Sequence, residues 1–223
     1  MSFLNELKRQ AAAIQPQAQD DVHVLERNTR LSHGACRIAR DYWKELADHL
    51  NVLRPTSAAR YLLDGRRTLD AVRCGNFRVV ANSRRSHEGE EFFEAVVFAW
   101  QAGNGERMRI EKDFPTEADR VRASLRQAGI QYHESSLRDE AGRSSATDFE
   151  FTADVTASIR LVPLAESGRV RAVFSNIDQL ERVEADFPAA AMRPRRLDEI
   201  ARWIVGQPNR VLEYAGGVKR FQA

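Results

Sequence analysis

The chain of 223 residues carries only two cysteines, seven prolines and twelve glycines. Cys36 and Cys74, with no second pair, supply neither a disulfide framework nor a zinc cluster, and a reducing cytoplasmic setting is expected. So little glycine and proline excludes collagen-like and low-complexity chains. Lysine is scarce too: of 34 basic residues only Lys8, Lys44, Lys112 and Lys219 are lysine. Such a skew towards arginine can come from genome base composition alone and carries little functional weight. No apolar run approaches the ~18 residues of a membrane span. The first ten residues alternate apolar and charged, so no secretory leader is expected. With 34 basic against 32 acidic residues the net charge is +2, too small for bulk electrostatic capture of nucleic acid.

Catalytic signatures are missing as well. There is no glycine-rich phosphate loop, no Gly-x-Ser-x-Gly elbow and no His-Glu-x-x-His. The five histidines, His23, His33, His49, His87 and His133, are scattered. His33 and Cys36 lie one helical turn apart, but two ligands do not make a zinc site. The sequence assigns no catalytic residue, no cofactor and no metal, and a non-catalytic protein is favoured over an enzyme.

What is present suits a folded protein: 43% hydrophobic and 30% charged residues, enough for one large domain or two small ones. Leu4, Leu7, Ala11 and Ile14 recur at helical spacing before Pro16, which is expected to end or kink that helix. From Val22 a second stripe steps by three and four without a break through Leu25, Thr29, Ser32, Cys36, Ala39, Trp43, Leu46, Leu50 and Leu53. Pro55 marks its stop. A helix with this stripe packs on the rest of its own chain or forms a homodimer through residues 20–53; packing is the commoner use.

The second half holds an internal repeat. Residues 109–115 read Arg-Ile-Glu-Lys-Asp-Phe-Pro and residues 182–188 read Arg-Val-Glu-Ala-Asp-Phe-Pro, five of seven identical. Phe77–Val80 is similar to Ile159–Val162, and Glu94–Phe98 to Arg171–Phe174. Each copy ends in a helical pattern: Ala118, Val121, Leu125, Ala128 in one, Leu197, Ile200, Ala201, Ile204 in the other. Self-similarity in the same order is an architectural signature. Phe77–Ser83, Phe92–Trp100 and Met108–Phe114 read as strands, with Gly103-Asn104-Gly105 turning a hairpin and Thr116 and Asp119 boxing the helix opened by Pro115. Ser167-Gly168 is the matching turn. Residues 130–155 read as a connecting hairpin with Glu140-Ala141-Gly142 at its tip, and Val211–Tyr214 as a further strand.

The expected fold is therefore α+β: an N-terminal helical hairpin or long helix on a large antiparallel sheet of two pseudo-symmetric repeats. The segments are 1–62 (helical), 63–145 (first repeat), 146–215 (second repeat, in the same domain) and 216–223 (flexible tail). A duplicated strand meander plus helix resembles the architecture of the TATA-box-binding protein fold, a likeness that implies two similar halves sharing one curved sheet and implies no function.

Alternation places Ile110 and Phe114, with Val183 and Phe187, on an apolar face, and Arg109, Glu111 and Asp113, with Arg182, Glu184 and Asp186, on a charged one. The run Phe92–Trp100 is apolar on both sides, so cover on both faces is expected. Asp before Phe-Pro is expected to cap the next helix or turn, and Arg109 and Arg182 to neutralise the glutamates. Arginines also cluster at Arg66-Arg67, Arg84-Arg85 and Arg193-Pro194-Arg195-Arg196, the last opposing a helix dipole. The expected function is a non-catalytic binding or scaffold protein whose duplicated charged sheet face, or helical seam, meets a protein or an anionic ligand, with Arg193, Arg195 and Arg196 as further candidate contacts. Nucleic-acid binding through the arginine clusters is the first alternative, less favoured because base-stacking motifs do not accompany them. A small-ligand protein or enzyme with a pocket between the halves is the second.

Overall fold

The structure, a computed structural model, describes residues 3–87, 89–138 and 144–222, with the side chains of 3–20, 138, 144 and 145 excepted. Helix α1 runs unbroken over Phe3–Leu53. The expected end at Pro16 is not taken, so the N-terminal element is one long helix and not a hairpin. Proline removes one ladder hydrogen bond, and the good helix formers on both sides of it carry the helix through. The helix stops where Arg54 enters the left-handed region (φ 44) ahead of Pro55.

Strands β1 (Tyr61–Leu62) and β2 (Thr68–Leu69) form a small ribbon. Then come β3 (Arg73–Arg85), β4 (Glu91–Lys112), helix α2 (Pro115–Ala128), β5 (Tyr132–Arg138), β6 (Ser144–Leu164), β7 (Arg169–Ser175), β8 (Glu181–Pro188), helix α3 (Pro194–Ile204) and β9 (Gly216–Gln222). The seven strands β3 to β9 make one antiparallel sheet in the order β3-β4-β6-β7-β8-β9, with β5 also on β6. The chain is thus α+β, with an N-terminal helix on a large antiparallel sheet. Residues 139–143 join β5 to β6, so the expected hairpin tip at 140–142 lies outside the described residues.

All three helices pack on one face of the sheet. Along β6, Phe149, Phe151, Ala153, Val155, Ala157, Ile159 and Leu161 are all buried, one side of a strict alternation. Trp43 of α1 stacks on Phe98 (5.7 Å between centroids), which pairs with Ile159. Trp203 of α3 lies 4.8 Å from Phe174, which pairs with Ile159 from the other side. On α2, Arg122 sits over Phe149. The stripe of α1 is used within the chain from Ser32 to Leu50: Ser32, Cys36, Ala39, Trp43 and Leu50 are buried. Burying side chains of this size stabilises by about 1.5–3 kcal/mol each for the large ones.

Several local expectations are corrected. Gly103-Asn104-Gly105 is not a hairpin turn; β4 runs straight through it as a 22-residue strand. Between the pairs Gly103↔Asp154 and Arg107↔Thr152 three residues of β4 oppose one of β6, an enlarged bulge. The same strand can pair onward because β6 is equally long and offers a partner to both halves. Phe114, expected to be buried, is 65% exposed, since the strand ends at Lys112 and Phe114 becomes the cap position of α2. That cap has no side-chain hydrogen bond, so neither Asp113 nor a Thr116–Asp119 box closes it; Asp119 pairs with Arg122 instead. Asp186 does not cap either, and bonds Arg171. The outer side of Phe92–Trp100 is not covered by a helix: Val80, which pairs with Val97 there, is 50% exposed. Val211–Tyr214 is no strand, and Leu212–Tyr214 forms a 3₁₀ turn. Residues 216–222, expected as a loose tail, add β9 to the edge of β8.

Candidate anion-binding groove

The duplicated charges lie on the open face of the sheet but not together. Arg109 pairs with Asp148 (2.7 Å), and Glu111 stands exposed in register with Asp148. Asp113 is exposed beyond the strand end. Asp186 accepts two hydrogen bonds from Arg171 (2.8 and 3.1 Å), and Arg182 pairs with Glu184 on its own strand. Arg109 faces Glu150 of β6, whereas Glu184 reaches β6 through Val173 at Arg160. Ten residues of strand separate these two points, roughly 30 Å. Glu111 and Glu184 are therefore not brought together.

The third cluster also disperses. Arg193 precedes α3 and donates from Nε to the Ala190 carbonyl (3.2 Å). Arg195 is exposed, and the Arg196 guanidinium carbon sits over the Tyr214 ring, 3.9 Å from its centroid. Stacking on that ring answers the unfavourable position at the helix start. His33 and Cys36 do not form a ligand pair: His33 Nδ1 accepts the Phe93 N–H (3.0 Å), and burial pushes the Cys36 thiol up to about 12.

A different set of basic residues converges where α1 ends against β3. The β3 strand has its own bulge, Asn76 and Phe77 opposing Trp100 alone, between Gly75↔Gln101 and Arg78↔Ala99. Asn76 takes φ 55 there. Asn51, in the last turn of α1, replaces the interrupted ladder: its Nδ2 donates to the Phe77 carbonyl (2.9 Å) and its Oδ1 accepts the Phe77 N–H (2.8 Å). Asn76 donates to the Gln101 side chain. On the neighbouring strand the β4 bulge is clasped by Asp154, whose Oδ1 accepts the Gly105 N–H (3.2 Å). A Cβ on Gly103 would fall 2.5 Å from the Ala153 carbonyl oxygen, so only glycine fits. Two non-glycine residues in the left-handed region, Arg54 and Asn76, cost of order 1 kcal/mol each or more, and two adjoining bulges interrupt the ladder. Strain of this kind collects where the chain re-aims side chains for a purpose.

The outcome is an open groove of about 720 Å³. Arg54, just past the end of α1, and Arg73 and Arg78, both on β3, line it, with Asn51, Asn76 and Gln101 as neutral hydrogen-bonding neighbours. None of the three guanidinium groups has a carboxylate partner among the described residues, although elsewhere Arg40, Arg109, Arg122, Arg171 and Arg220 are each paired. Asp154 is the one acid in the lining, and its Oδ1 is already engaged by the bulge. Behind the groove Cys74 is buried, its thiol pushed up to about 11 by that burial, which makes it an inert wall and not a nucleophile. Chemically, three free guanidinium groups beside amide donors suit a phosphate or carboxylate bound in bidentate fashion.

Sequence reasoning missed these residues because they are single arginines, not clusters, and Arg54 lies 19 residues before Arg73. One signal was available: Gly75-Asn76 interrupts an otherwise apolar strand pattern, which marks a bulge. No protein-family model, curated protein or solved structure matches the chain. The likeness to the TATA-box-binding protein fold therefore rests on the sequence repeat alone.

Proposed function

We propose that the chain is a non-catalytic binding protein that holds a small phosphorylated or carboxylated molecule in the groove of Arg54, Arg73 and Arg78. The observation that carries this reading is the convergence of three arginines without partners on a groove shaped by two bulges. Its volume falls in the range of small-molecule sites. A scaffold role for the sheet face is weaker, because Arg109, Arg182 and Asp186 there are already paired with near neighbours. No nucleophile–base pair lines the groove, which favours binding over turnover.

Inorganic pyrophosphate is a suitable probe. It is expected to raise the unfolding temperature saturably, since a ligand bound only to the folded state stabilises by mass action. Arg73→Glu combined with Arg78→Glu is expected to remove that shift. Arg193→Glu combined with Arg195→Glu is expected to leave it. The reading fails if pyrophosphate gives no shift at millimolar concentration, or the same shift in the groove variant. A mixed-sequence oligonucleotide bound more tightly, with affinity falling steeply in salt, would move the function to nucleic-acid binding.

A further inference from the structure

The long helix is anchored to the sheet over only part of its length. The first anchoring contact among the described side chains is Asn28, whose Nδ2 donates to the Glu166 carbonyl (3.1 Å). Every residue from Asp21 to Arg27 is exposed, with Val22 at 54% and Leu25 at 47%. Because α1 passes through Pro16, the two stripes in the sequence join: Leu4, Leu7, Ala11, Ile14, Ala18, Val22 and Leu25 follow one another by three or four. That stripe then continues into the buried Ser32, Cys36 and Ala39, whereas at Val22 and Leu25 it is exposed.

We infer that residues 4–25 of α1 pair antiparallel with the same segment of a second copy of this chain. The stripe reads nearly the same in both directions about residues 14 and 15. Reversed on itself, it sets Leu4 level with Leu25, Leu7 with Val22 and Ala11 with Ala18, each layer repeated by the twofold. Such self-complementarity is what an isologous interface requires. The charges agree. Lys8 and Arg9 of one copy come level with Asp21 and Asp20 of the other, whereas parallel pairing sets like charge beside like. Length agrees as well. The overlap spans about 33 Å of helix and ends at Leu25, three residues short of the first contact with the body, so the two bodies sit at opposite ends without collision. The small Ala11 and Ala18 on the stripe allow close approach. The expectation of a homodimer through residues 20–53 is thereby moved along the helix, because from Ser32 to Leu50 that seam is taken by the chain's own sheet.

Sedimentation equilibrium of the full chain tests this. The wild-type chain is expected to be a dimer, and Leu25→Asp a monomer whose unfolding transition is otherwise unchanged. Lys8→Glu with Arg9→Glu is expected to weaken the dimer roughly tenfold or more, as is Asp20→Lys with Asp21→Lys. All four changes in one chain restore the affinity, which a parallel pair would not do. Oxidation supplies a second reading. Leu4→Cys mixed with Leu25→Cys is expected to give a cross-linked pair that neither forms alone, since Cys36 and Cys74 are buried. A wild-type chain that stays monomeric at millimolar concentration, a dimer indifferent to Leu25→Asp, or charge swaps without rescue would overturn the proposal.

Discussion

Two segments of this protein share five residues in seven and share almost nothing of their setting. Residues 109–115 continue a strand that began at Glu91, pass its end at Lys112, and leave Phe114 65% exposed before α2. Residues 182–188 lie in β8, return antiparallel on β7, and bury Phe187 completely. In the first, the preceding segment is collinear; in the second, it is the other arm of a hairpin. Identical side chains therefore do not carry identical roles. What decides is the partner strand: long β6 accepts both halves of β4 on one edge, while β7 accepts β8 only along its own seven residues. Pairing over such distances is a tertiary effect that overrides local turn preference.

The largest test of that contrast is at the phenylalanines. Phe187 packs against Phe174, with centroids 6.5 Å apart and rings near perpendicular. Phe187→Ala is expected to lower unfolding free energy by about 3–5 kcal/mol, the usual cost of emptying a core aromatic site. Phe114→Ala is expected to stay within about 0.5 kcal/mol. Urea titration of the two variants decides it. Equal losses would mean that Phe114 is covered in solution and that the halves are more alike than their strands suggest.

A smaller effect separates the aspartates. The Arg171 guanidinium beside Asp186 holds its carboxyl below the usual range by hydrogen bonding first and charge second. A depressed carboxylate pKa adds stability that is present above the unfolded value, near 3.9 in the ordinary case, and is lost as pH falls through the folded value. Asp186→Asn is expected to cost about 1 kcal/mol at neutral pH, and the difference from wild type should shrink as pH drops below about 4. Asp113→Asn, exposed and off the strand, is expected to change little at any pH. Urea midpoints from pH 7 to pH 3 supply the curves. A difference for Asp186→Asn that grows on acidification has the wrong sign for this ion pair.

How far the fold was legible follows the same division between local and distant causes. The helical stripes were readable: Ala118, Val121, Leu125 and Ala128 are all buried, as are Leu197, Ile200 and Ile204. So were β3 and the first part of β4, from their Phe and Val content, and the left-handed turn at Gly168. The bulge at Gly103 was not, because Asn-Gly signals a turn in isolation and only Asp154 and the ladder of β6 convert it. Nor was β9 readable, since Gly216–Gln222 is ordered by pairing with β8 and by Arg220 on Glu181 (2.6 Å), not by its own composition. For the groove the obstacle was the same. Arg54 is brought to the strand of Arg73 and Arg78 by Asn51, which ties the end of α1 to the bulge at Phe77, and by the Cys74 N–H donating to the Pro55 carbonyl, contacts between segments 19 to 26 residues apart.

The smallest expected effect is the most direct test of whether the two copies face each other. Glu111 and Glu184 occupy matching places in the two similar seven-residue segments, and a twofold arrangement of those segments would bring their carboxylates close enough to repel. In the sheet they stand on β4 and β8, with β6 and β7 between them and a long offset along β6. Groups that far apart, each near its own arginine, add independently to within about 0.3–0.5 kcal/mol. A double-mutant cycle on Glu111→Gln and Glu184→Gln, read by urea unfolding at low salt, is therefore expected to show no coupling energy. Low salt matters because screening would hide a weak repulsion between exposed charges. A coupling well above that limit would require the Phe-Pro segments to approach each other. It would restore a cleft between the halves as the place to look for a ligand, in preference to the arginines at the end of α1.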